Sequence, residues 1–195
     1  MLKLICGIDE AGRGPGAGPV VAASVILPAG FDSSELDDSK KLSRKKREAL
    51  FVRIINEADW GIGMAEPEEI DRINVLHATM RAMERALVNL PVLPNLALID
   101  GNRVPSNLLC PGRAIIGGDA LEPTISAASI VAKVTRDKLM VEADSKFPAY
   151  GFASHKGYLT KFHKSALAQF GPCPIHRFSY EPIRESAREF LASMI

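Results

Sequence analysis

Leu4-Ile5-Cys6-Gly7-Ile8-Asp9-Glu10-Ala11-Gly12-Arg13-Gly14 carries an apolar run through two adjacent carboxylates into a glycine-rich turn. Leu2, Leu4, Ile5 and Ile8 make an apolar segment of strand length. Gly12, Gly14, Gly16 and Gly18, with Pro15 and Pro19, prevent its continuing as a helix. A second apolar, β-branched run follows from Val20 to Leu27, so the local prediction is strand, glycine loop, strand. Two acids at the end of a buried strand are costly unless something compensates their charge, and a divalent cation is the usual compensator. Taken alone, the pair reads equally well as a solvated strand end.

The glycines do not make a nucleotide loop. A dinucleotide fingerprint opens a helix after its strand, and a phosphate loop needs Gly-Lys followed by Ser or Thr. Here the glycines lead into Pro19 and a strand-like run, with no such lysine. What they offer is exposed main-chain N–H and C=O groups that a ligand can approach closely.

The pattern of an apolar run ending in an acid recurs twice. Pro94-Asn95-Leu96-Ala97-Leu98-Ile99-Asp100-Gly101 repeats the logic of Asp9, and Ala114-Ile115-Ile116-Gly117-Gly118-Asp119 does so a third time. Ligands gather beyond strand ends in α/β sheets, so these acids predict one shared site. Pro123 suits the first turn of a helix whose small residues, Ser126 to Ala132, allow close packing. Asp137, far along that helix, is read as a structural partner of Arg136 or Lys133. Other helices are expected over Ser43 to Glu57, from an acidic start at Pro67, over Val75 to Leu90 and over Pro182 to Leu191, with a short strand from Trp60 to Met64. His77 reads as structural.

A chain of 195 residues, 47% apolar and 24% charged, has the composition of an ordinary soluble globular protein and is read as one domain, 1–195. No apolar run approaches the roughly 18 residues of a membrane span, and the N-terminus lacks a signal-type segment. Cys6, Cys110 and Cys173 are odd in number and lack metal-ligand spacing, which suits free thiols in a reducing cytoplasm. The net charge of +1 hides segregation. Residues 39–47 hold six basic side chains and no acid; Ser145 to Tyr180 adds Lys146, Lys156, Lys161, Lys164 and Arg177, three of the four histidines (His155, His163, His176), and again no acid. Such tracts are the footprint of a protein that holds phosphates, although a solvated helix face gives the same pattern.

Gly7-Ile8-Asp9-Glu10-Ala11-Gly12-Arg13-Gly14, Asp38-Ser39-Lys40-Lys41-Leu42, Asp100-Gly101, Gly118-Asp119, the run Ser126 to Asp137, and Tyr150-Gly151-Phe152 through His155-Lys156-Gly157-Tyr158 together resemble bacterial ribonuclease HII, in order and over nearly the whole chain. The resemblance implies a ribonuclease H-like α/β fold: a mixed five-stranded sheet flanked by helices, with additional C-terminal helices. It implies that Asp9, Glu10, Asp100 and Asp119 are catalytic carboxylates holding two divalent cations, Mn2+ or Mg2+. Gly12-Arg13-Gly14 resembles the family's ribonucleotide sensor, in which main-chain groups meet a 2′-hydroxyl, and Tyr158 resembles the aromatic that stacks on the following sugar. Lys40 and Ser39 would contact phosphate.

The chemistry is coherent with that likeness. Hydrolysing a phosphodiester needs a nucleophile, charge relief at phosphorus and a stabilised leaving oxygen, which two divalent ions can supply. Four carboxylates provide hard oxygen donors for them, with Asp9 the candidate bridge. Side chains alternate on a strand, so adjacent Asp9 and Glu10 predict a distortion or a strand end at that point. The expected protein is a monomeric, cytoplasmic endoribonuclease acting on RNA–DNA hybrids and on single ribonucleotides in duplex DNA, leaving 3′-hydroxyl and 5′-phosphate. The alternative is a non-catalytic hybrid- or junction-binding module with structural acids; a sheet-based phosphotransferase, the third possibility, lacks a triphosphate loop.

Overall fold

Ile5–Ala11 forms strand β1 and Val20–Ile26 forms β2, paired antiparallel in unbroken register from Gly7 opposite Val25 to Ala11 opposite Val21. The structure is a computed structural model that describes residues 4–192; Leu2, at the head of the predicted first strand, lies outside them. The glycine loop leads into an antiparallel strand and not a helix, as its prolines require. β3 (Asp59–Ala65), β4 (Leu96–Asp100) and β5 (Gly112–Ile115) complete a five-stranded sheet in the order β3-β2-β1-β4-β5. β1 runs parallel to β4, and β4 to β5, so the sheet is mixed. Its helices are α1 (Arg44–Glu57), α2 (Pro67–Val88), α3 (Gly118–Leu121), α4 (Pro123–Lys146), α5 (Phe152–His155), α6 (Lys161–Phe170) and α7 (Glu181–Ala192). Among the described residues no helix is long and apolar enough to cross a membrane.

The chain divides into two compact units, one of segments Met1–Ala11, Val21–Met64 and Thr79–Thr135, the other of Gly12–Val20, Ala65–Ala78 and Arg136–Ile195. The first holds the sheet. β2 is buried at every position, which is why it reads as a continuous apolar run with no alternation. Ala23 and Val25 of β2 pack with Leu50, Phe51 and Ile54 of α1 and with Ala127, Ile130 and Val131 of α4. Ser43 caps α1 by accepting a hydrogen bond from the Lys46 N–H, the start expected of a serine before a periodic run. At Gly7 the backbone of α4 comes so close that a Cβ would lie 2.1 Å from the Thr124 carbonyl carbon. The second unit has its own core of Met140, Tyr150, Phe152, Leu167 and Ile183.

Two expectations change, and a third is met in detail. β1 shows no distortion at Asp9 and Glu10: the ladder to β2 continues through both, and only the parallel ladder to β4 stops, at Ile8 beside Ile99. Asp119 does not end a strand. β5 stops at Ile115, Gly117 takes a left-handed φ of 67°, and Asp119 stands in the first turn of α3. α2 is two helical segments broken at Asn74, whose φ of 64° is non-helical and whose Oδ1 accepts the Leu76 and His77 N–H groups as a cap. The two predicted segments around Val75 therefore match the break.

Candidate active site

Asp9, Glu10, Asp100 and Asp119 all lie in the first unit. Ile8 and Ile99 are the last partners on β1 and β4, so Asp9 and Asp100 are the next residues on adjacent parallel strands, where register neighbours share a face. Asp9 is only 5% exposed. Burial first, then the charges of Glu10 and Asp100, push its carboxyl well above the usual carboxylate range. Ser129 and the Glu10 N–H, 2.7 Å from Asp9 Oδ1, hydrogen-bond the carboxylate and pull the other way. The Ser39 hydroxyl is buried and lies 2.9 Å from that of Ser129.

Asp119 is tied to this group through its N–H, 3.4 Å from Asp100 Oδ1, and through its carbonyl, which accepts from Ser126 Oγ of α4 at 2.5 Å. Its carboxyl is raised by burial, by Asp100 and by Asp38, against the lowering effect of Lys40. Lys40 is a nearby cation, its exposed ammonium 4.0 Å from Asp119 Oδ2. Burial works against the ammonium, but Asp38, Asp9, Asp119 and Asp100 raise its pKa. Asp38, whose Oδ1 accepts from the Lys40 N–H at 2.9 Å, is a further acid here that sequence reading did not assign. The carboxylates that act on one another and on Lys40 leave a local excess of negative charge. An all-oxygen donor set with uncompensated charge fits a hard divalent cation such as Mg2+ or Mn2+. Among the described residues no three His, Cys, Asp or Glu side chains are grouped closely enough to hold a metal ion as they stand.

The second unit holds Gly12, Arg13, Gly14 and Tyr158. Gly12 has a φ of 101°, and a Cβ there would lie 2.0 Å from Arg136 Nε, so only glycine fits. Tyr158 is half exposed, and a Cβ at Gly14 would sit 3.5 Å from its ring, so the aromatic stands beside the loop. Beneath the loop are two buried guanidiniums. Arg136 donates to the carbonyls of Pro19, Ala17 and Lys156, and Arg177 to those of Gly12, Arg13 and Gly18. Burial, then the charge of Arg177, lowers the Arg136 pKa to about 10. Tyr158 and then Asp137 are among the smaller charges that raise it again.

The family model for ribonuclease HII matches residues 6–183. The chain belongs to the ribonuclease HII family. It is 59% identical over 181 residues to the ribonuclease HII of Maricaulis maris (strain MCS10), covering 92% of this chain and 83% of that one. It is 56% identical over 185 residues to that of Burkholderia pseudomallei (strain K96243), covering 94% and 86%. The crystal structure of ribonuclease H2 from Pyrococcus horikoshii OT3 superposes with a TM-score of 0.78 at 28% identity, over 96% of this chain and 98% of that one. The fold is thus ribonuclease H-like, and the chain is a ribonuclease, a hydrolase.

Within this ribonuclease HII chain the two basic tracts are less available than their charge suggests. In the first, Lys41 pairs with Asp37, Arg44 with Glu48 and Lys46 with Glu35, while Arg47 donates to the Ser39 and Leu42 carbonyls. In the second, Arg177 is wholly buried. His163 and His176 are also wholly buried, with their Nε2 atoms 2.9 Å apart. His176 Nδ1 accepts from the Cys173 N–H, so its Nε2 donates to His163, whose Nδ1 then donates to the Tyr158 carbonyl. Burial holds both near a pKa of about 4, so they are neutral structural links and not phosphate ligands. The three thiols are free, as expected. His77 is exposed.

Proposed function

We propose that this chain cuts the RNA strand of RNA–DNA hybrids and nicks duplex DNA on the 5′ side of a single embedded ribonucleotide, leaving 3′-hydroxyl and 5′-phosphate. The observation that supports it best is the buried Asp9, its carboxyl driven up by burial and by the charges of Glu10 and Asp100, in a chain of the ribonuclease HII family. A buried carboxylate raised by like charges is a site that gains from a cation. Asp9, Glu10, Asp100 and Asp119 would hold two divalent cations, Mg2+ or Mn2+. Such ions supply charge relief at the attacked phosphate and polarisation of water.

The chain's own groups have separate tasks. Ser129, backed by Ser39, orients Asp9. Lys40, exposed and beside Asp119, offers its ammonium to a substrate phosphate. Main-chain donors of Gly12 to Gly14 meet the 2′-hydroxyl, the group that distinguishes RNA from DNA at one position. A duplex lacking it leaves a donor unpaired, at roughly 1–3 kcal/mol per contact. Tyr158 packs on the sugar next to the junction. The two units serve one catalytic domain, since the chain passes between them at 11/12, 20/21, 64/65, 78/79 and 135/136 and no single cut separates them.

The test is cleavage of a labelled duplex carrying one ribonucleotide, beside an all-DNA duplex, with Mg2+, with Mn2+ and with chelator. One metal-dependent cut 5′ of the ribonucleotide, absent from all-DNA, is expected. Binding without a cut would leave a junction-binding module with structural acids.

A further inference from the structure

The Arg177 side chain is bonded chiefly to the loop itself. Its Nη2 donates to the Gly12 carbonyl at 2.6 Å and to Gly18 at 2.7 Å, Nε to Gly18 at 2.9 Å, and Nη1 to Arg13 at 3.0 Å and to the Tyr180 hydroxyl at 3.0 Å. The Tyr180 hydroxyl donates in turn to the Arg13 carbonyl, and the Arg177 N–H to Gly16 at 2.9 Å. One planar fork thus spans both ends of the turn, a geometry that a lysine's point charge cannot reproduce.

The peptide bond converts this grip into an orientation. In a trans peptide the C=O of one residue and the N–H of the next point to opposite sides of one rigid plane. With the Gly12 and Arg13 carbonyls pinned to Arg177, the N–H groups of Arg13 and Gly14 are aimed away from it. We infer that Arg177 is a positioning residue for ribonucleotide recognition, presetting those two main-chain donors, with Tyr180 as its brace. The inference rests on the proposed reading of this loop as the 2′-hydroxyl sensor. Asp71 extends the brace: its carboxylate accepts from the Phe178 N–H at 2.9 Å, the Ser179 N–H at 2.8 Å and the Ser179 hydroxyl at 2.6 Å, fixing the segment that follows Arg177. This gives one acid of the α2 start a task beyond opening a helix.

The experiment measures binding of wild type, Arg177→Lys and Tyr180→Phe to a duplex with one ribonucleotide and to the all-DNA duplex of the same sequence, in chelator, with a thermal melt of each protein. Arg177→Lys is expected to bind all-DNA within about twofold of wild type while losing about tenfold in preference for the ribonucleotide, the scale of one unpaired donor. Tyr180→Phe, which keeps the guanidinium and the fold, is expected to lose about threefold of the same ratio. A ratio unchanged in Tyr180→Phe and in folded Arg177→Lys overturns the inference, even if stability or overall affinity falls, because that is the pattern of a purely structural residue. A wild type with no preference overturns the sensor reading itself, and the inference with it.

Discussion

Acidification should destabilise this protein through one identifiable pair. His163 and His176 are held at about 4, chiefly by burial, against an ordinary value of 6.5. The unfolded chain therefore takes up a proton near pH 6.5 that the folded chain refuses until about pH 4, so stability is complete above the first value and falls as pH drops toward the second. The slope is about 1.4 kcal/mol per pH unit for each histidine, and from about pH 7 to about pH 5 this comes to about 2 kcal/mol for one and up to about 4 kcal/mol for both. Both rings are wholly buried, so solvent screening does not reduce it. The surroundings offer no relief: His155 stacks on His163 at 4.5 Å, Tyr150 and Phe152 present ring contacts, and the Cys173 N–H already occupies His176 Nδ1. A first proton would turn the accepting Nε2 of His163 into a donor and break the 2.9 Å bond. Urea unfolding at half-unit pH steps, wild type against His163→Gln, isolates the effect because the carboxylates titrate in both. The variant should lose about one proton's slope, about 1.4 kcal/mol per pH unit. Equal slopes in the two proteins would refute the reasoning.

Asp9→Asn is expected to abolish turnover in Mg2+ and yet raise the melting temperature without divalent metal, because the buried charge repelled by Glu10 and Asp100 is gone; near-normal turnover would remove Asp9 from the metal site. Tyr158→Ala should leave the thermal melt unchanged, since the residue is 51% exposed, and reduce the preference for cutting at the junction; full retention of that preference would count against stacking. Gly7→Ala drives a Cβ to 2.1 Å from α4 backbone, which cannot rotate aside, and should cost about 3 kcal/mol or more in denaturant unfolding. Unfolding followed by Trp60 fluorescence and by far-ultraviolet circular dichroism should coincide if the interleaved units fold as one domain; two separate transitions would show that they do not.

Much of the site is legible in the chain because its signals are local. An apolar run ending in an acid needs no tertiary context to be seen, and Asp9 and Asp100 follow from it; Ser43 before a periodic run marks α1 to the residue. Other features resisted reading for a common reason. Asp119 sits in α3 and not at a strand end because Gly117 turns the chain left-handed first, a conformation the apolar run before it conceals. The undistorted ladder through Asp9 and Glu10 depends on where β4 stops pairing, which β1 alone cannot specify.

The sequence by itself determined the five strands, the helices α1, α2, α4 and α7, the glycine turn and the family, but not the short helices α3 and α5 or the helix α6. What it determined is carried by residue type and short spacing. Only the tertiary structure decided that Arg177, apparently one more charge in a basic tract, is buried under the turn it serves, bonded to Gly12 165 positions away. It likewise decided that His163 and His176 are a neutral bonded pair. A side chain's charge is written in the sequence, but whether water or a distant carbonyl satisfies it is set by what the fold brings beside it.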